Sequence, residues 1–186
     1  MLSIWSDLRG ELLEHSGSLS NNVAGTFYPE VAVVGVGNLL LGDDGVGVHL
    51  AHRLADKIDD SDVAVIDAGT VPELFLLVDG RFRKLIFVDA VRAGGPPGSI
   101  YRFGLEVLET QSELPFSLHD MTLLGNLRLL ALLGKEPESV VIIGIEPKNT
   151  EFGTQLSLEV EKALPKAIEL VLEEIGEFSK HSMEVR

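Results

Sequence analysis

From Glu30 onward the chain alternates short, continuous apolar runs with stretches of helical periodicity, and this alternation limits the fold more than any other feature of the sequence. A run such as Val31 to Val36, apolar at every position, is poorly suited to a strand with one wet face; it belongs in a parallel sheet covered on both sides. The first strand is therefore expected over Val31 to Val36, a helix over Gly45 to Lys57 and a second strand over Val63 to Asp67. A short helix over Pro72 to Asp79 and a third strand over Leu85 to Asp89 follow. Gly95-Pro96-Pro97-Gly98 then breaks the pattern, and Ser99 to Phe103 comes too soon after it for a crossover helix, so this strand is expected to be antiparallel and near an edge. Leu118 to Leu133, apolar nearly all round, reads as a buried helix, Val140 to Ile145 as the last strand and Leu156 to Ile175 as a long amphipathic helix. The fold class is α/β: a three-layer αβα sandwich around a mostly parallel sheet of about five strands, one of them an antiparallel edge strand.

The 186 residues fit one domain. Residues 1–29 read as an N-terminal arm and linker, 30–178 as the single α/β domain and 179–186 as a frayed polar tail. In the arm, Leu2, Trp5, Leu8, Leu12 and Leu13 fall near helical spacing, which suits a helix packed on its own domain, a loose extension or a partner-binding helix. A formal charge of -14 argues against nucleic acid and anionic membranes as partners, because both are polyanions. No apolar run approaches the length of a membrane span, and the start of the chain has interspersed charges in place of a signal-peptide core, so a cytosolic location is expected. The absence of cysteine removes disulfides, thiolate nucleophiles and sulfur-ligated metals together. Any metal would have to be met by carboxylates and histidines.

In an open α/β sheet the ligand crevice lies beyond the carboxyl ends of the strands. The apolar runs end at Gly37-Asn38, Asp67, Asp89 and Glu146, and the loop after the first carries Asp43-Asp44. Acids crowded at one sheet edge repel one another unless a cation or protons relieve them. Each also has a plain structural explanation. One of Asp43 and Asp44 is expected to cap the following helix, and Asp67, before Ala68-Gly69-Thr70, could simply organise a turn. Asp89 has little turn chemistry around it.

Among five histidines, projection at about 100° per residue sets His49 and His52 opposite the Val46, Leu50, Ala51 and Leu54 face, on what reads as a solvated polar side. Ser117-Leu118-His119-Asp120 has the form of a capping box before an apolar run, which puts His119 in a first helical turn. There the helix dipole disfavours protonation and keeps a ring nitrogen available to a metal, although a structural histidine bonded to a loop fits as well.

The glycine-rich loop Gly35-Val36-Gly37-Asn38-Leu39-Leu40-Leu41-Gly42-Asp43-Asp44 nearly matches two nucleotide motifs and satisfies neither. Leu40 stands where the dinucleotide fingerprint needs a third glycine, and Asp43-Asp44 replaces the Lys-Ser/Thr of a P-loop. There is no G-x-S-x-G elbow and no H-E-x-x-H helix. A crevice of hard carboxylates, one imidazole and a glycine wall remains, suited to a metal or a closely approaching peptide.

Val33-Val34-Gly35-Val36-Gly37-Asn38-Leu39-Leu40-Leu41-Gly42-Asp43-Asp44-Gly45-Val46-Gly47-Val48 resembles the opening of the NiFe-hydrogenase maturation endopeptidases. Asp67-Ala68-Gly69-Thr70, Ile86-Phe87-Val88-Asp89-Ala90, Ser117-Leu118-His119-Asp120 and Gly144-Ile145-Glu146-Pro147 resemble that family's later motifs, in order. The resemblance implies a peptidase that removes the C-terminal extension of a hydrogenase large-subunit precursor after nickel insertion. It also implies that nickel held by the substrate is the recognition signal and is bound only weakly by the free protein. Carried over by motif, Asp44, Asp89 and His119 would contact the metal, with Asp67 or Asp44 as candidate general base. The family often has Glu where Asp44 stands, one methylene longer. The competing expectation is a non-catalytic nickel-binding or chaperone module serving hydrogenase assembly.

Overall fold

The computed structural model describes residues 29–70, 82–104 and 137–184. Within them the order is β1 (Val31–Val36), a 3-10 turn (Gly42–Gly45), α1 (Val46–Ala55), β2 (Val63–Gly69), β3 (Lys84–Ala90), β4 (Ile100–Gly104), β5 (Ser139–Ile145) and α2 (Leu158–Glu184). The five strands form one sheet in the order β2-β1-β3-β5-β4. The β1–β2, β1–β3 and β3–β5 pairs are parallel, and β4 runs antiparallel to β5 at the edge, as the Gly-Pro-Pro-Gly break predicts. The five-stranded mixed sheet of the expected α/β class is thus present. The expected helices over 72–79 and 118–133, and almost all of the expected arm, lie outside the described residues.

The continuous apolar runs are buried on both faces. Val31, Val33, Ile86, Val88, Val141 and Ile143 pack with Val46, Leu50 and Leu54 of α1 and with Val160, Leu164 and Val171 of α2. The alternate residues Ala32, Val34, Leu85, Phe87 and Ile142 form a second cluster on the opposite face. α1 lies close on the sheet because Gly47 has no side chain: a Cβ there would sit 2.0 Å from the Val88 carbonyl oxygen and 2.4 Å from that of Val36. No helix among the described residues is long and apolar enough to cross a membrane.

α2 is longer than the sequence pattern suggests. It runs to Glu184, well past Ile175, so the stretch from 179 that reads as a frayed tail is helical as far as Glu184. Ile175 and Phe178 are both buried. The Phe178 ring lies beneath Arg83, 5.1 Å from the guanidinium carbon, and Lys84, 5.9 Å from the ammonium, which gives the final turns a partner from β3 and the residue before it.

Lys84 is buried, and its ammonium donates to the Glu174 carbonyl at 2.9 Å and to Glu174 Oε2 at 2.7 Å. Arg102 of β4 pairs with the other Glu174 oxygen. This network ties α2 to a central and an edge strand. Burial raises the Glu174 carboxyl pKa, but hydrogen bonds from Arg102 and Lys84 outweigh that and hold it below its ordinary value. Replacing Glu174→Ala strands the Lys84 ammonium in the interior and should destabilise the domain by about 3–5 kcal/mol in denaturant unfolding. A loss under about 1 kcal/mol would show the pair to be dispensable.

Candidate functional site

The carboxyl ends of β2, β1 and β3 lie side by side, and each brings an acid. Asp67 on β2 is in register with Gly35 of β1, and Gly35 with Val88, the residue before Asp89 on β3. The 3-10 turn carrying Asp44 closes over the end of β1. Gly37 makes this possible: its φ of +136° suits glycine, and a Cβ would meet the Asp44 carbonyl oxygen at 1.9 Å. The Gly37 N–H donates to the Gly69 carbonyl at 2.8 Å, joining the β1 and β2 ends. The next N–H, that of Asn38, donates to Asp44 Oδ2 at 3.0 Å and so fixes the half-buried carboxylate.

Asp44 thus lies in the turn that follows β1 and Asp89 near the end of the adjacent β3, with Gly47, one turn beyond Asp44, against the Val88 carbonyl. Asp89 is buried, and its Oδ1 accepts the Ala90 N–H at 2.8 Å. His119, the expected third member of this set, lies outside the described residues. Among the described residues no three histidine, aspartate or glutamate side chains form a group that could hold a metal ion. The two carboxylates in place are hard oxygen donors, so completion by an imidazole would suit a borderline divalent metal.

Asp67 is engaged in a pair that sequence projection does not reveal. Its Oδ1 accepts the Gly69 N–H at 2.9 Å, and its Oδ2 meets His52 Nε2 at 2.7 Å. The pair is well exposed, with side-chain exposures of 55% for His52 and 41% for Asp67. His49, expected on the same solvated side, is half-buried, and its Nε2 is covered without a hydrogen-bond partner among the described residues. Burial, then the neighbouring charges of Arg53 and His52, lower its pKa, while a hydrogen bond with the Thr154 backbone acts the other way. The segment before α2 has come across to cover what projection left open.

Neither Asp43 nor Asp44 caps the helix that follows, contrary to expectation: neither the 3-10 turn nor α1 has a side-chain N-cap bond. Asp43 points inward and is fully buried. Its Oδ2 accepts the Lys148 and Asn149 N–H groups at 2.9 Å each and the Ser157 hydroxyl at 2.8 Å, and its Oδ1 accepts the Ser157 N–H at 2.6 Å. Ser157 immediately precedes α2, so Asp43 anchors the start of a helix more than a hundred residues away. Glu146, the last strand-end acid, is likewise structural: its Oε2 accepts the Ala93 N–H and the Tyr101 hydroxyl, each at 2.9 Å, and the Gly95 N–H at 3.3 Å.

Residues 48–174 match the model of a family described as hydrogenase maturation protease; Asp67, Asp89 and His119 fall inside that span and Asp44 just before it. The hydrogenase expression/formation protein HupD of Thiocapsa roseopersicina is 36% identical over 156 residues, 81% of this chain and 69% of that protein. The coenzyme F420 hydrogenase subunit delta of Methanothermobacter thermautotrophicus is 35% identical over 158 residues, 79% of this chain and 95% of that one. Among solved structures, the hydrogenase maturating endopeptidase HybD from E. coli aligns with a TM-score of 0.71 at 28% identity, over 80% of this chain and 93% of that one. The hydrogenase 2 maturation peptidase from a Thaumarchaeota archaeon aligns with a TM-score of 0.62 at 37% identity, over 79% and 98%.

The Asp43 cluster has a stability signature. Burial raises its pKa, but the hydrogen bonds from Asn149, Ser157 and Lys148 outweigh burial and hold it below the ordinary 3.8. A depressed folded-state pKa gives stabilisation that is present above the ordinary value and lost as pH falls through the folded one. Asp43→Asn turns one acceptor into a donor facing a donor and should cost about 1–3 kcal/mol at neutral pH. The gap between wild type and variant should narrow in denaturant unfolding as pH drops below 3.8; a gap constant with pH would contradict the anchor.

Proposed function

The chain belongs to the hydrogenase maturation protease family, and from that premise we propose that it is an endopeptidase removing the C-terminal extension of a NiFe-hydrogenase large-subunit precursor after nickel insertion. The observation that supports the reading is that the turn after β1, which carries Asp44, is seated by glycines beside the end of β3, which carries Asp89. The metal belongs to the substrate: nickel seated in the precursor is met by Asp44, Asp89 and His119, and the protein alone holds it weakly. Two carboxylates and an imidazole are a reasonable donor set for such a centre.

In this reading recognition and cleavage are geometrically linked. Docking on the nickel brings the precursor tail to the carboxyl edge of the sheet, and the enzyme's binding energy places the scissile amide beside the acids. Proton removal from the attacking water falls to Asp67 or Asp44, which makes the peptidase aspartate-type. Asp67 is held on both oxygens, by Gly69 and by His52. Asp44 accepts the Asn38 N–H on Oδ2.

Incubation with nickel-loaded and nickel-free precursor tests this directly. The loaded form should be shortened and the nickel-free form should stay intact. Asp89→Asn and His119→Ala should each slow processing by about 100-fold, near 2.7 kcal/mol in barrier. Equal trimming of both precursors would overturn the nickel reading. Tight, stoichiometric nickel binding by the protein alone, with no cleavage of either precursor, would instead favour the carrier or chaperone role.

A further inference from the structure

We infer that Asp43 is a positioning residue for nickel recognition: its buried carboxylate sets the orientation of the 3-10 turn that presents Asp44, and so governs how well loaded precursor is told from nickel-free precursor. The inference rests on the nickel reading of the same site. Asp43 and Asp44 are consecutive in a turn of about three residues per revolution, so their side chains diverge by about 120°. Fixing one side chain therefore fixes the direction of the other.

Asp43 is fixed unusually well. Four donors converge on its two oxygens, from Lys148, Asn149 and both polar groups of Ser157. The backbone adds to this: the Asp43 N–H donates to the Asn149 carbonyl at 2.9 Å, and the Gly42 N–H to the Gly153 carbonyl at 2.7 Å. The Gly153 N–H in turn donates to the Leu40 carbonyl at 2.9 Å. The turn is thus held against the segment between β5 and α2 at several points. Asp44 has a lighter hold, the Asn38 N–H on one oxygen. The Asp44 carboxylate stands one methylene from its backbone, so an error in the turn cannot be taken up by side-chain length.

A purely structural stitch would affect only how much protein is folded. A positioning role affects affinity for one form of the precursor. The test uses the full chain and two constants: KM for nickel-loaded precursor, and the inhibition constant of nickel-free precursor as competitor. In wild type KM should lie well below the inhibition constant. Asp43→Asn should raise KM at least tenfold and leave the inhibition constant within about twofold, whereas loss of folded enzyme lowers the apparent kcat and moves neither constant. Ser157→Ala, which removes one of the four donors, should raise KM by about threefold in the same selective way, and it decides the matter if Asp43→Asn does not fold. Unchanged KM in the folded variant, or KM and inhibition constant rising together, would overturn the role of Asp43 while leaving the nickel reading intact. Equal constants in wild type would overturn both.

Discussion

The close seating of α1 on the carboxyl ends of β1 and β3 is the constraint on which the site depends. With a Cβ at Gly47 only 2.0 Å from the Val88 carbonyl oxygen, any side chain would push the helix off the sheet. The 3-10 turn would be carried away with it, because α1 follows that turn directly. The turn that carries Asp44 is in this way held beside the end of β3, where Asp89 lies. Gly37 plays the matching part at the other end of the loop, where the Asp44 carbonyl fills the space a Cβ would need. The glycines that fail to form a phosphate loop are used to bring a carboxylate down onto a sheet edge.

Around that seat, buried charge is handled by convergence of donors. Asp43 gathers Lys148, Asn149 and Ser157, Glu146 gathers Ala93, Gly95 and Tyr101, and Glu174 takes Lys84 and Arg102. Each group is costly to bury alone and tolerable when its oxygens are satisfied. The three join, respectively, the turn to the start of α2, the 93–95 loop to β4 and β5, and α2 to β3 and β4. Glu146 thus serves the fold, whereas Asp44 and Asp89 lie beyond β1 and near the end of β3.

Much of the architecture is legible in the sequence because parallel strands buried on both faces leave an unbroken apolar run, as Val31–Val36 does. The antiparallel edge strand is legible from the short connection through Gly95-Pro96-Pro97-Gly98, and the acids at strand ends from where the runs stop. What is not legible is long-range. Nothing near Asp43 announces that its partners are Lys148, Asn149 and Ser157. Helical projection leaves His49 facing solvent because it cannot see the segment around Thr154 arriving from elsewhere. The length of α2 is not legible either, because the partners of Phe178, Arg83 and Lys84, come almost a hundred residues earlier. The pairing of His52 with Asp67 likewise needs α1 and β2 in their final places.

In the proposed function the acids meet a metal owned by another protein. X-ray absorption at the nickel edge of the loaded precursor, recorded alone and then with the full chain under conditions that slow cleavage, tests this most directly. The nickel should gain oxygen and nitrogen neighbours when wild-type protein is added, and fewer with Asp89→Asn. An identical nickel environment with and without the protein, while the tail is still removed, would contradict it.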